Sequence, residues 1–264
     1  MRRLNVMRGA DAYAKAAFFG IAIYVAAAVI ILITILVISP SDAVFGLILL
    51  IPAAIAIASL RYVRRWGLLI AAILSGFGFV AFIADAGLIL TTPKAFFDFL
   101  LTLSTLTGLG IAFIACLAGF VQYFRGPVGS EVSSGVTMAL RGIAAAVFVA
   151  SAISLVLTVV NATKSVSAED RQGAQELTAD DTKWSVETLE VNAGEPIRLL
   201  VKNDDPILHT FTLKDSARGL DIDVRLGPWS EQIVEFGPFQ AGVYGFICRI
   251  EGHEEDMTGA ITVR

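Results

Sequence analysis

A bundle of five transmembrane α-helices followed by an all-β sandwich is the fold that this 264-residue sequence predicts. Three observations carry it. The chain is 56% hydrophobic with a mean hydropathy of +0.73, and the excess lies before residue 161. After Thr182 the hydrophobic period changes to two. Charge also divides between the halves: 10 basic residues stand against 5 acidic ones up to Asn161, and 10 against 19 from Ala162 onward.

An apolar run of about 18 or more residues reads as a membrane span, because a hydrocarbon core of ~30 Å takes ~20 residues at helical rise. Five runs qualify, at 17–38, 43–60, 66–90, 97–124 and 142–160. The second is the shortest and contains Pro52, which a span tolerates where neighbouring helices re-satisfy the freed carbonyl. Arg2, Arg3, Arg8 and Lys15 precede the first span, Arg61, Arg64 and Arg65 follow the second, and Arg125 and Arg141 precede the fifth, whereas the opposite loops hold only Lys94. By the positive-inside rule this places the N-terminus in the cytoplasm. Five spans then put everything after Val160 on the periplasmic or extracellular face of a multi-pass plasma-membrane protein. The first run starts basic, as a signal peptide does, but its apolar core exceeds the ~7–15 residues of a signal h-region. A retained signal-anchor is expected.

The helical part carries little chemistry. It has no His, which argues against a bis-His haem. Asp85 is the one acid embedded in apolar sequence; its position near the outer end of the third span favours a solvated or capped carboxylate over a proton or ion site. Gly76, Gly78, Gly108, Ala112, Ala115 and Gly119 would let helices approach closely.

Residues 162–181 are polar and read as a linker, leaving 182–264 as the second domain. There Trp184 and Val186, Leu189 and Val191, and Ile197, Leu199 and Val201 alternate with polar or mixed neighbours, the pattern of half-buried strands. Turn signals at Ala193-Gly194, Asn203-Asp204-Asp205-Pro206, Gly227-Pro228 and Gly237-Pro238 cut them into the short pieces of a sandwich. Tyr244, Phe246 and Cys248 share one face of the penultimate strand, which points the thiol inward.

The run from Cys248 through Gly252 and His253 to Met257 supplies a thiolate, an imidazole and a thioether, and His209 stands upstream at a strand start. The chain has only two histidines, and both belong to this constellation. Soft sulfur holds Cu(I) and imidazole suits both oxidation states, so Cys and two His with a weak axial Met form a set suited to electron-transfer copper. Three ligands on one loop at the end of a sandwich would reorganise little between oxidation states. Other readings remain beside this one: a buried Cys and Met as ordinary core packing, or a sandwich that keeps the residues without metal. A catalytic Cys–His pair lacks a third orienting residue. A binuclear copper centre would need a second Cys where Gly252 stands, and multicopper catalysis would need further histidines. Cys116 lies in the fourth span and Cys248 outside, so no disulfide crosses the second domain.

With its flanks Gly242-Val243-Tyr244-Gly245-Phe246 and Thr258-Gly259-Ala260-Ile261-Thr262-Val263, this loop resembles the cupredoxin family, in particular the azurin and plastocyanin-like type 1 copper proteins. Their ligand loop runs Cys, a few residues, Gly-His, a few residues, Met. The resemblance covers roughly the last 85 residues. It implies a Greek-key cupredoxin sandwich and one mononuclear type 1 copper ion, with His209, Cys248 and His253 as strong ligands and Met257 as the axial one. It also implies single-electron transfer without substrate turnover, hence no enzyme. The chain departs from relatives at Glu251, where Pro is common before Gly-His, at Arg249, where small or apolar residues are frequent, and at Thr210, where Asn is often found.

An acidic outer domain excludes nucleic acid as a partner and favours a basic redox protein, such as a c-type cytochrome, or a membrane oxidoreductase, since complementary fields raise encounter rates. Glu251, Glu254, Glu255 and Asp256 lie on the ligand loop, where they read equally as a docking patch or as a solvated surface. Membrane lipid surrounds the helices. Five spans exceed what an anchor requires, which fits a subunit of a redox complex. A rival reading is copper capture, delivery or transport, which the absence of a Met-rich or His-rich relay weakens.

Overall fold

The computed structural model describes the backbone of residues 2–38, 43–125, 130–215 and 218–264, and their side chains except at 2–11, 34–38, 43–46, 64, 85, 125 and 130–133. The side chains of Asp85, Arg2, Arg3, Arg8, Arg64 and Arg125 therefore lie outside the described residues. The chain divides into two compact units: one is Met1–Leu90 with Leu100–Ser151, the other Thr91–Phe99 with Ala152–Arg264.

Five long helices run in order: α1 (Arg2–Ile38), α2 (Ala43–Tyr62), α3 (Arg64–Leu90), α4 (Phe96–Arg125) and α5 (Ser130–Ala162). They outrun the predicted apolar stretches because apolar composition marks only the part suited to lipid, while backbone hydrogen bonding continues through polar ends. Four are long and apolar enough to cross a membrane, over Ala12–Ile33, Arg65–Ala84, Phe96–Phe124 and Ser134–Ala162. In α2 the apolar run among the described residues, Leu47–Tyr62, is shorter. Among the described residues, four of the five predicted spans thus meet that measure, and the second does not.

Small side chains set the packing of the first unit. Ala16, Ala17, Ala28, Ala53, Ala56, Ala71, Ala72, Ala112 and Cys116 form its buried core with Ile21, Tyr24, Leu68 and Leu109. A Cβ on Gly20 would fall 2.6 Å from the Gly108 carbonyl oxygen, and one on Gly108 would fall 2.6 Å from that of Gly20. Backbone meets backbone where α1 crosses α4, as small residues allow. Pro52 sits inside α2. In the turn before it, the Leu49 carbonyl accepts the Tyr24 hydroxyl at 2.6 Å, which ties α2 to α1.

The second unit is a two-sheet sandwich. A short helix, α6 (Ala168–Arg171), leads into β1 (Gln175–Asp180), β2 (Lys183–Trp184), β3 (Thr188–Val191), β4 (Ile197–Asn203), β5 (His209–Asp215), β6 (Leu220–Leu226), β7 (Ser230–Phe236), β8 (Gly242–Ile247) and β9 (Thr258–Val263). One sheet has the order β2-β1-β4-β7, the other β3-β9-β8-β5-β6. β1 runs parallel to β4 and β3 parallel to β9, while the remaining pairs are antiparallel.

The stretch read as a linker therefore contains α6 and β1, a central strand. Its outward positions, Gln175, Glu176, Thr178 and Asp180, are polar, and only Leu177 and Ala179 point into the core, both fully buried. Two small or medium apolar residues among four polar ones carry a weak periodic signal. On the facing sheet Tyr244, Phe246 and Cys248 are buried while Val243 and Ile247 are exposed, so the thiol points into the core. The core cluster to which it belongs also holds Trp184, Leu199, Val201, Phe211, Leu226, Met257 and Ile261.

Candidate metal centre

His209 is the first residue of β5, Cys248 follows the last residue of β8, and Met257 precedes β9, with His253 on the loop between. Backbone bonds close that loop on itself. Cys248 N–H donates to the Met257 carbonyl at 2.9 Å, His253 N–H to Ile250 at 3.0 Å, and Met257 N–H to His253 at 2.9 Å. Gly252, at φ +84°, takes the left-handed conformation that the turn requires, one that glycine adopts without steric cost. From the facing sheet Trp184 Nε1 donates to the Met257 carbonyl at 3.0 Å. The loop is thus anchored at both ends before any ligand is considered.

The structure brings three of the four predicted ligands together: one donor atom from each of His209, Cys248 and His253 lies within 4.8 Å of the others. Cys248 Sγ is 3.7 Å from His253 Nδ1 and 3.9 Å from His209 Nδ1. Bonds of about 2.0 Å to nitrogen and 2.3 Å to sulfur, set at trigonal angles, would place N and S about 3.7 Å apart, so a first-row metal fits between these donors. Met257 is fully buried in the same core cluster as Cys248. His209 and Cys248 are buried, and the His253 side chain is half-buried.

Each donor has its own supports. His209 Nε2 lies 2.7 Å from Asp205 Oδ2, so the far nitrogen is held by a carboxylate and Nδ1 is left to face the sulfur. Asp205 in turn accepts the N–H groups of Asp181 at 2.9 Å and Thr182 at 3.0 Å, and its own N–H donates to Asn203 Oδ1 at 2.9 Å. Buried Asn203 ties that turn to the carbonyls of Ile207, Leu226 and Gly227. Burial pushes the Asp205 carboxyl up, but the His209 ring and the two N–H groups outweigh it and hold it below its ordinary value. Burial likewise pushes His209 down, and the hydrogen bond to Asp205 together with Cys248 reverses the direction.

Burial alone would push the Cys248 thiol up. The His209 and His253 rings and the N–H groups of Ile250 and Thr210 overcome it and bring the thiol down to about 6, so a metal meets a thiolate. Thr210 N–H lies 3.3 Å from Sγ, a contact that adds to the stabilisation of the thiolate. Thr210 Oγ1 also accepts the Arg249 N–H at 2.8 Å, joining the strand of the first ligand to the loop of the others. Arg249 itself forks onto Asp223, with Nε to Oδ1 at 3.2 Å and Nη2 to Oδ2 at 2.6 Å. At the two departures Thr210 and Arg249 the chain thus supplies its own pinning bonds. Glu251, Glu254, Glu255 and Asp256 are exposed.

The sequence points to His209, Cys248, His253 and Met257 but not to Asp205, which stands there only as part of a turn signal. Its carboxylate sits four residues before His209, and that offset was the only signal available.

Residues 149–263 match the family model described as the cupredoxin-like domain. Among solved structures the chain is similar to auracyanin A, a blue copper protein from the green thermophilic photosynthetic bacterium Chloroflexus aurantiacus, at 19% identity over 34% of this chain and 98% of that one, with a TM-score of 0.31. A dithionite-reduced auracyanin from Roseiflexus castenholzii aligns at 19% identity over 35% of this chain and 99% of that one, TM-score 0.31. A purple cupredoxin from Nitrosopumilus maritimus aligns at 20% identity over 34% and 98%, TM-score 0.26. Among curated proteins none matches.

Proposed function

From the premise that residues 149–263 form a cupredoxin-like domain, we propose that this protein is a membrane-anchored type 1 copper protein carrying single electrons on the outer face of the membrane. The observation that carries the proposal is the convergence of one donor atom each from His209, His253 and Cys248 within 4.8 Å, with Cys248 Sγ 3.9 Å and 3.7 Å from the two Nδ1 atoms. Copper, when bound, supplies the one-electron couple. The residues do the rest. His209, Cys248 and His253 would hold the ion, with Met257, buried in the same core cluster as Cys248, as the proposed weak axial donor. Asp205 fixes the His209 ring, Thr210 N–H tempers charge on the sulfur, and the closed loop limits reorganisation.

The helices suit anchoring, and the excess of basic residues before the first span and after the second favours a cytoplasmic N-terminus. A redox protein is the partner expected at the half-buried His253, the ligand nearest solvent. In this reading the Cys248 thiolate and the His209 ring that Asp205 orients serve as metal ligands, and the role is that of a carrier.

The test uses the full chain in detergent. Loaded with Cu(II), it should show intense thiolate-to-copper visible absorption and narrow copper hyperfine splitting, and Cys248→Ser should lose both. A colourless wild-type protein, or a Cys248→Ser variant with the same spectrum, sinks the assignment. Rapid loss of copper to a chelator from a blue protein would instead favour copper delivery.

A further inference from the structure

Asp98 lies in the first turn of α4, far from the ligand loop in sequence, yet its Oδ2 accepts the N–H of Leu208 at 2.9 Å. Leu208 is buried and immediately precedes His209. It stands one residue before β5 begins, and Asp98 is the acceptor that its N–H finds among the described residues. A buried backbone N–H without a partner costs about 1–3 kcal/mol, so this bond has a structural reason to persist.

Asp98 is not presented by a free loop. Residues Thr91–Phe99 belong to the same compact unit as the sandwich, and they are fastened on a second side of His209. Arg225 pairs with Thr210 across β5 and β6. Its Nη1 donates to Thr91 Oγ1 at 2.8 Å and Thr92 Oγ1 at 3.0 Å, and its carbonyl accepts Lys94 Nζ at 3.0 Å. The end of α5 grips the same loop. Ser154 Oγ donates to the Pro93 carbonyl at 2.6 Å, Thr158 Oγ1 donates to that of Lys94 at 2.7 Å, and Phe96 N–H donates to Thr158 Oγ1 at 3.0 Å. The connection that leads into Asp98 is therefore held by bonds independent of the one that the Asp98 carboxylate makes to Leu208.

We propose that Asp98 is a positioning residue of the metal centre, holding the Leu208 N–H and thereby the backbone from which His209 aims Nδ1 at the Cys248 sulfur. His209 is then fixed from two directions, by Asp205 on its Nε2 and by Asp98 on the amide before it. The inference rests on the copper reading, but it adds a residue from a helix connection outside the matched domain. Outer partners of ligands of this kind change metal affinity by about 10- to 100-fold.

The test compares full-length wild type, Asp98→Ala and Asp98→Asn in detergent with Cu(II). Asp98→Ala removes the acceptor; it should retain copper at least about 10-fold less tightly and alter both the charge-transfer band ratio and the hyperfine splitting. Asp98→Asn keeps an acceptor oxygen, and it should stay with wild type on both readouts. If Asp98→Ala does not fold, Asp98→Ser, whose hydroxyl is too short to reach Leu208, takes its place with the same expectations. An Asp98→Ala or Asp98→Ser protein with wild-type affinity and spectrum overturns the inference and leaves the copper reading standing. An Asp98→Asn protein as altered as Asp98→Ala overturns it too, because the acceptor would not be what matters. A wild-type chain that takes up no copper overturns both.

Discussion

His209 depends on Asp205 for its orientation, and Asp205 depends on a turn that the backbone builds around it. Replacing Asp205 with Asn keeps the shape but offers the ring an amide in place of a carboxylate. Copper retention should fall by about 10- to 100-fold with the fold intact, measured by competition with a chelator; unchanged retention would show that the 2.7 Å contact does not orient the ligand. The sulfur gives a second prediction, in the metal-free protein. With the Cys248 thiol held down to about 6, thiolate ultraviolet absorbance in a Cys116→Ala background should rise through a midpoint near that value. A midpoint at the ordinary cysteine position of ~8.5 would mean that the two imidazoles do not stabilise the thiolate. The linkage has a definite sign. A depressed thiol stabilises the metal-free fold above its unfolded value and loses that contribution as pH falls through about 6. His209, shifted upward, contributes below its unfolded value and loses its share as pH rises through the folded one.

The segment from β8 to β9 was legible in sequence because its ligands lie within ten residues of one another and its alternation is strong. β1 was not, because only Leu177 and Ala179 face inward and the polar residues between them mimic a linker. Yet β1 occupies the centre of its sheet, paired with β2 on one side and β4 on the other. Leu177→Ala should therefore destabilise the sandwich by about 2–5 kcal/mol, the range for a fully buried Leu, read from denaturant unfolding of the full chain. A loss below about 0.5 kcal/mol, typical of surface sites, would place β1 outside the cooperative core. The connection 91–99 was hidden for a different reason. Thr91, Thr92, Lys94 and Asp98 form no motif, and their roles come from contacts to residues more than a hundred positions away. Tertiary hydrogen bonds of that range leave no periodic trace in a single sequence.

Connectivity constrains the membrane arrangement of the whole chain. The connection 91–99 shares a compact unit with the sandwich, so on the proposed membrane reading both are expected on one side. Only α4 and α5 separate them in sequence, and two crossings return a chain to the side it left. That requirement is met whether or not α2 crosses; α2 decides only where the N-terminus falls. If α2 crosses, Arg2, Arg3, Arg8, Lys15, Arg61, Arg64, Arg65, Arg125 and Arg141 gather on one side against Lys94 alone. If it does not, Arg61, Arg64, Arg65, Arg125 and Arg141 face Arg2, Arg3, Arg8, Lys15 and Lys94, five against five, and the charge bias that orients helices disappears. The asymmetry favours a crossing α2 despite its short apolar run among the described residues, which local thinning of the bilayer accommodates. In intact cells a C-terminal epitope should then be open to added protease and an N-terminal one protected. Both epitopes on the same side would mean that α2 stays out of the bilayer core and that the chain crosses four times.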